Sequence, residues 1–464
     1  MVKSFYVITT IERSMHPTVL SFDRGNILAK GNERIPNMVW DERARAFRTE
    51  AMSYAEIVAY LQRKHLPFED KVEDLIPCPE IICHISLRSY QRQALRAWEK
   101  SGKRGVIVLP TGSGKTVIAI AALGLLNQPA IILVPTLDLL EQWKKWLEKE
   151  LNISVGVCGG GENRFFAITV STYDSAYLRA AELGNKFKLM IFDEVHHLPA
   201  EGYRQIAEMF TAPYRMGLTA TFEREDMLHS KLPKLVGSIV HRLGAEKLAG
   251  NYLANYTKQR ISIDLREKEM LDYTENYRIF TDYLVTRRIR LGTPGAFRKF
   301  IMRSARDKEG RRALLARNRA LNIALNSEAK IDALEKVLQT NQEERTIIFT
   351  QHNHLVYKIS KRFLVPYVTH ATTKDERRDI LSSFKDGIFR TLVTSKVLDE
   401  GIDVPEASLG IIVSGTGSSR EFIQRLGRLL RKKEGKQAKL VEIVSKRTSE
   451  VKTSQRRNRQ TSRT

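Results

Sequence analysis

Short, uninterrupted apolar runs punctuate this chain in two groups. GVIVL (105–109), AIILV (130–134), AITV (167–170) and KLMIF (188–192) make up the first. RTIIFT (345–350), RTLVT (390–394), LGIIV (409–413) and KLVEIV (439–444) make up the second. Each is too short for a core helix and lacks the polar alternation of a half-exposed strand. Such runs are strands covered on both faces, as in parallel sheets. Between them lie stretches with helical periodicity, such as KTVIAIAALGLL (115–126) and LDLLEQWKKWLEKEL (137–151). This is βαβ grammar, and it predicts an α/β chain with two doubly wound parallel-sheet lobes. The first lobe is expected at 82–242 and the second at 326–448, with 243–265 joining the second through ISIDL (261–265).

The flanking segments read differently. Residues 1–75 carry short strand-like pieces (FYVITT, TVLSF, GNILAKG) and then a helix near 54–64, so a small mixed α/β domain is expected. Ser53 and Glu56 have the spacing of a capping box at that helix's start. The Pro-rich stretch 67–79 reads as a linker. Between the lobes, 266–325 reads as a helical insertion with one basic face. From Arg287 to Arg319 it holds twelve Lys or Arg against two acidic residues, Asp307 and Glu309. Tyr273, Tyr277, Tyr283, Phe297 and Phe300 are interleaved with or adjacent to that run. The tail 449–464 is polar, basic and nearly free of large apolar residues, and is expected to be disordered.

Composition narrows the function classes. No apolar run approaches the ~20 residues of a membrane span, and the first residues make a poor signal peptide. Cys78, Cys83 and Cys158 provide neither a disulfide framework nor zinc spacing. A soluble, cytoplasmic protein is expected. Lys and Arg total 76 against 53 Asp and Glu, a net charge of +23, which calls for a polyanionic partner.

The strand GVIVL runs directly into Pro110-Thr111-Gly112-Ser113-Gly114-Lys115-Thr116 and then an apolar helix. Glycines let such a loop turn its backbone N–H groups inward on phosphate oxygens, and the helix N-terminus adds a positive dipole end. Lys115 is placed for the β- and γ-phosphates and Thr116 for Mg²⁺. Leu109 stands where the pattern usually opens with Gly or Ala, while the GSGKT core is intact. A second apolar strand ends in Asp193-Glu194-Val195-His196. Asp193 suits the outer sphere of Mg²⁺, and Glu194 suits orientation and deprotonation of an attacking water. His196 and His197 lack a third ligand, so a polar coupling role for His196 is preferred over zinc.

In GSSREFIQRLGRLLRKK (417–433), Ser418 and Glu421 again have capping-box spacing. Gln424, Arg428 and Arg431 then share one helix face, with Arg425 beside them. Such arginines could act as fingers reaching a nucleotide held on the other lobe.

Together these segments resemble the superfamily 2 helicases, over residues 87–432. Leu87-Arg88-Ser89-Tyr90-Gln91 resembles the adenine-contacting element, which implicates Arg88 and Gln91. Pro135-Thr136 and Ser171-Thr172 resemble the strand-contacting motifs Ia and Ib; Thr219-Ala220-Thr221 resembles motif III, which couples hydrolysis to DNA. Phe349-Thr350-Gln351 resembles motif IV, and TSKVLDEGID from Thr394 to Asp403 resembles motif V, with Gly401 and Asp403 near the nucleotide. QRLGRLLR resembles motif VI. Within the superfamily the likeness is to the XPB family. Arg224-Glu225-Asp226 resembles its strand-separating R-E-D element, the basic insertion its thumb, and the N-terminal domain its damage-recognition domain.

The resemblance implies two RecA-like lobes with that N-terminal domain and a helical thumb insertion. It implies ATP and Mg²⁺ as cofactors and duplex or forked DNA as partner. Contacts with DNA are expected from the R-E-D triplet, Thr136, Thr172, Thr394 and the thumb residues Arg298, Lys299 and Arg303. The expected activity is a 3′–5′ DNA helicase or translocase in nucleotide excision repair, of archaeal or bacterial form. A monomer is expected, associated with the nucleoid and working with a nuclease. A translocase that remodels duplex DNA without unwinding it stays open as the alternative, and an RNA helicase more distantly.

Overall fold

The computed structural model describes residues 17–31, 34–224, 226–248, 255–291, 295–395, 407–415 and 437–461. Among these residues the strands form three sheets. The first belongs to the N-terminal region. Strands β1 (Thr18–Asp23) and β2 (Asn26–Lys30) form an antiparallel hairpin, and β3 (Val39–Asp41) and β4 (Ala46–Glu50) extend it on one side. On the other side β5 (Phe68–Lys71) runs parallel to β1. Helix α1 (Tyr54–Arg63) turns Tyr54, Ile57 and Leu61 onto Leu20, Ile27 and Ala29 of the sheet.

Two expectations fail here. The Ser53 side chain makes no capping bond, because residues 51–53 already wind as a 3₁₀ turn and give Ser53 helical angles (φ −83°, ψ −2°). An N-cap side chain reaches the first turn from an extended backbone instead. The stretch 67–79 is also no free linker. It begins with β5 and then hydrogen-bonds along the first lobe, Asp74 N–H to Asn185 O at 3.2 Å and Ile76 N–H to Lys186 O at 3.2 Å. Lys186–Asp74 and Lys188–Glu73 ion pairs flank this seam.

The second sheet contains β6 (Arg104–Val108), β7 (Ala130–Val134), β8 (Gly156–Gly159), β9 (Glu162–Arg164), β10 (Ile168–Thr172), β11 (Leu189–Asp193), β12 (Tyr214–Thr219) and β13 (Ile239–Arg242). Their order is β13-β6-β12-β11-β7-β10-β8-β9, parallel throughout except for β9. Every residue of β7, β10 and β11 is buried, as their apolar runs require. Helices α2 (Ser89–Lys100), α3 (Lys115–Leu126) and α4 (Leu137–Leu151) pack on it. The chain skips two places between β6 and β7, leaving β12 and β11 between them. Such a reversal opens a crevice at the carboxyl ends of the strands, where open α/β sheets hold ligands.

The third sheet is entirely parallel. It comprises β14 (Asn255–Ile263), β15 (Thr346–Phe349), β16 (Tyr367–Val368), β17 (Thr391–Thr394), β18 (Leu409–Ile412) and β19 (Gln437–Ser445), in the order β14-β19-β18-β15-β17-β16. ISIDL therefore contributes the end of a longer strand, β14, whose nine residues pair with β19.

Between the lobes stand three thumb helices, Glu267–Thr286, Ala296–Ser304 and Lys308–Asn326. Their aromatic residues face one another. Phe280, Tyr283 and Phe300 are buried together with Ala313, and Tyr273 stacks on Tyr277 at 5.5 Å. The close approach requires Gly310, where a Cβ would stand 2.8 Å from the Tyr283 hydroxyl. Arg298, Lys299 and Arg303 are exposed on the second thumb helix.

The tail corrects the expectation of disorder, since Ser449–Thr461 is helical. Glu450 is 2% exposed and pairs at 2.6 Å with Lys330, itself fully buried. Ser449 N–H donates to the Tyr273 hydroxyl at 2.8 Å. Composition suggested a solvated arm, but a few anchored polar groups order its first turns. Among the described residues no helix is long and apolar enough to cross a membrane.

Candidate nucleotide site

The carboxyl ends of β6, β12 and β11 bring the predicted site residues of the first lobe together. The register pairs Val108 with Thr219 and Leu218 with Asp193. The phosphate loop therefore begins two strand spacings, about 10 Å, from the acidic pair, with Thr219 between them.

The loop turns through Gly112 (φ 81°) and Gly114 (φ 77°), left-handed angles that residues with a Cβ rarely adopt. Ser113 closes it by donating its hydroxyl to Pro110 O at 2.7 Å. The Lys115 ammonium donates to Leu109 O at 3.2 Å and Pro110 O at 3.4 Å. Thr116 sits half-buried in the first turn of α3. The Thr111 hydroxyl is buried with no hydrogen-bond partner in the protein. A buried hydroxyl left without a partner in the protein is a donor available to a phosphate oxygen.

Gln91, expected at adenine, also braces the loop. Its amide accepts from Arg88 N–H at 2.9 Å and donates to Ser113 O at 3.0 Å. The Tyr90 hydroxyl donates to the same carbonyl. Arg88 is exposed at the start of α2.

Asp193 is 8% exposed, and three of its atoms are held. Oδ1 accepts from Glu194 N–H at 3.0 Å, Oδ2 from Trp143 Nε1–H at 2.8 Å, and its carbonyl from the Tyr173 hydroxyl at 2.9 Å. Burial holds its carboxyl above the ordinary range, while the Trp143 N–H, the Lys115 ammonium, the Glu194 N–H and His197 oppose that rise. Glu194 adopts a left-handed backbone (φ 47°), a strained turn of the kind found where a side chain must be aimed. Its Oε2 lies 3.3 Å from the Thr219 hydroxyl, which also sits 3.0 Å from His196 Nδ1 and accepts from Thr221 N–H at 3.1 Å. The acidic turn and the end of β12 are thus one polar unit.

Arg224 joins that unit from the next loop. It donates to the His196 carbonyl and forks onto Asp226 at 2.9 and 2.6 Å. This pairing draws the Asp226 carboxyl down to about 2. Thr136 follows β7 by two residues and Thr172 ends the neighbouring β10, and each hydroxyl caps the helix that follows, accepting from Leu139 N–H at 3.3 Å and Ser175 N–H at 3.2 Å. Thr394 is fully buried at the end of β17, its hydroxyl within 3.0 Å of Val368 O and Ser395 O. Arg377 of the second lobe approaches Asp138 at the start of α4, Nη1 to Oδ2 at 3.5 Å. Glu225, Gly401, Asp403, Gln424, Arg428 and Arg431 lie outside the described residues.

The sequence reading passed over Trp143 and Tyr173. Trp143 falls with Leu140, Leu147 and Leu151 on the buried stripe of α4, where an indole looks like plain core.

Three family profiles match the chain. One described as the Xeroderma pigmentosum group B helicase damage recognition domain covers residues 20–72. The type III restriction enzyme res subunit profile covers 84–224, and the helicase conserved C-terminal domain covers 329–433. A relative from Sulfurisphaera tokodaii, named DNA 3′-5′ translocase XPB2, is 46% identical over 94% of this chain and 99% of its own length. The DNA 3′-5′ helicase XPB of Mycobacterium tuberculosis is 28% identical over 75% of this chain, which spans 58% of that protein. Among solved structures, the Hef helicase domain of Pyrococcus furiosus shares the fold, with a TM-score of 0.51 at 20% identity over 80% of this chain and 97% of that one.

Proposed function

The chain belongs to the XPB family of superfamily 2 helicases, and from that premise we propose how its two RecA-like lobes use ATP to drive a 3′–5′ motor along duplex DNA. The motor opens or remodels that DNA in nucleotide excision repair. One observation carries the reading: the phosphate loop, Thr219 and the Asp193–Glu194 turn converge at adjacent strand ends.

In this reading Lys115 and the N–H groups of residues 111–116 bind the triphosphate. The hard oxygens of Thr116 and Asp193 fit Mg²⁺, which when bound would neutralise phosphate charge. Glu194 orients the attacking water and takes its proton, and Thr219 fixes the Glu194 carboxylate. By the family resemblance, Gln424, Arg428 and Arg431 would stabilise charge on the transferring phosphoryl group, and Gly401 and Asp403 would contact the nucleotide. Closing and reopening of the lobes then alternates the grip on the phosphodiester backbone. Thr136 and Thr172 contribute through the helix N-termini they cap, and the thumb through exposed cations. A nuclease partner, a monomeric working state and residence with the nucleoid complete the proposal.

Translocation without strand separation is favoured by one contact. Arg224 is engaged with His196 and Asp226 instead of standing free as a wedge. Strand-displacement and triplex-displacement assays run side by side separate the two readings. The motor itself is tested by Lys115→Ala, which should abolish ATP hydrolysis, measured with duplex, forked DNA and RNA, while leaving duplex affinity within about threefold. Normal hydrolysis by that variant would overturn the assignment.

A further inference from the structure

The structure assigns Trp143 as a positioning residue for the metal-facing carboxylate of Asp193, a role that rests on the Mg²⁺ reading of Asp193 above. The indole lies on the buried stripe of α4 and is 2% exposed, and its sole donor meets Asp193 Oδ2 at 2.8 Å. Packing alone would be served by any large apolar side chain there. An indole is an amphipathic choice whose N–H needs a partner when buried, and this one is aimed at a carboxylate.

The rest of the geometry shows what that bond adds. Oδ1 accepts from Glu194 N–H and the backbone carbonyl from Tyr173. Those two contacts fix the main chain and one carboxylate oxygen. The carboxylate could still swing about its last torsion, which is broad for Asp. The indole closes that freedom. A carboxylate offers about four lone-pair sites, so two accepted bonds leave about two, which would serve the water shell of a bound Mg²⁺. Partners that hold a ligating group in this way typically matter about 10–100-fold for metal affinity.

The test is a titration of the full-length protein with Mg²⁺ at a fixed concentration of a fluorescent, non-hydrolysable ATP analogue, with analogue binding in EDTA measured alongside. Trp143→Phe keeps an aromatic ring and removes the donor. It should raise the half-saturating Mg²⁺ concentration about tenfold and leave binding in EDTA within about twofold. Because a buried indole also supports the fold, the same titration is made with 3-benzothienylalanine at position 143, which preserves shape and lacks only the N–H. It should behave like the Phe variant. Asp193→Asn is run in parallel. If both Trp143 variants match the parent while Asp193→Asn raises the Mg²⁺ requirement, Trp143 is packing alone and the assignment falls. If Asp193→Asn also matches the parent, the reading of Asp193 fails and the role of Trp143 with it.

Discussion

The Thr219 hydroxyl is a single small group with several duties. It lies within hydrogen-bonding reach of the half-buried Glu194 and the buried His196 and closes the turn to Thr221, and is itself fully buried. Thr219→Val preserves its shape and deletes only the polar contacts. Removing one partner of a buried polar group costs about 1–3 kcal/mol. The protein should therefore stay folded at ambient temperature while Glu194 loses its fixed orientation. The expected outcome is a fall in kcat for ATP hydrolysis of about 10- to 100-fold, with KM nearly unchanged. Thr219→Ser, which keeps the hydroxyl, should recover most of the loss. A Val variant with parental kcat would remove Thr219 from the mechanism. Motif spacing singled out Lys115, Asp193 and Glu194, and the family resemblance Thr219, and the fold gathers all four at neighbouring strand ends. Trp143 carried no such signal. Its helical spacing is that of core, and only the packing of α4 on its sheet turns its N–H to Asp193.

Elements follow the same division. Strands buried on both faces announce themselves, and β6, β7, β10 and β11 fall on the apolar runs. Elements that depend on a distant partner do not. Strand β5 exists because β1 offers it a parallel edge, and Ser53 loses its cap to a 3₁₀ turn. The C-terminal helix is the sharpest case. Its composition is that of a disordered arm, yet Glu450 is buried against Lys330, whose ammonium also donates to Val413 O and Ile443 O. Deleting one member of a buried ion pair costs about 3–5 kcal/mol. With two carbonyls still holding Lys330, Glu450→Ala should cost about 3 kcal/mol, lowering the melting temperature of the second lobe by about 6–12 °C. Calorimetry checks the shift, and ATPase assays well below that transition should find turnover intact. An unshifted melt would mean that the pair does not anchor the helix.

For the whole molecule, charge is the property that composition predicted and the fold distributes. The excess of +23 calls for a polyanion without saying where it lands. The interleaved thumb aromatics are consumed in holding three helices together and not in stacking on bases, with Arg317 over Phe297 at 4.4 Å. The thumb's outward chemistry is therefore cationic. Arg298, Lys299 and Arg303 project from one short helix, and Arg306, Arg311 and Arg312 are exposed beyond it. Contacts of this kind act through phosphate neutralisation and counterion release, which depend on charge and not on base sequence. Each neutralised phosphate steepens the fall of log affinity against log salt by about 0.9 on duplex DNA. Replacing Arg298, Lys299 and Arg303 together by Gln should make that slope shallower by about 2–3, equally for unrelated duplex sequences. Fluorescence anisotropy between about 50 and 200 mM salt, a window across which such contacts change affinity measurably, reads the slope directly. The nucleotide site lies on other elements, so ATPase without DNA should be untouched, while the DNA concentration for half-maximal stimulation should rise. A triple variant with the parental slope would place the backbone contacts elsewhere and leave the thumb as a spacer between the lobes.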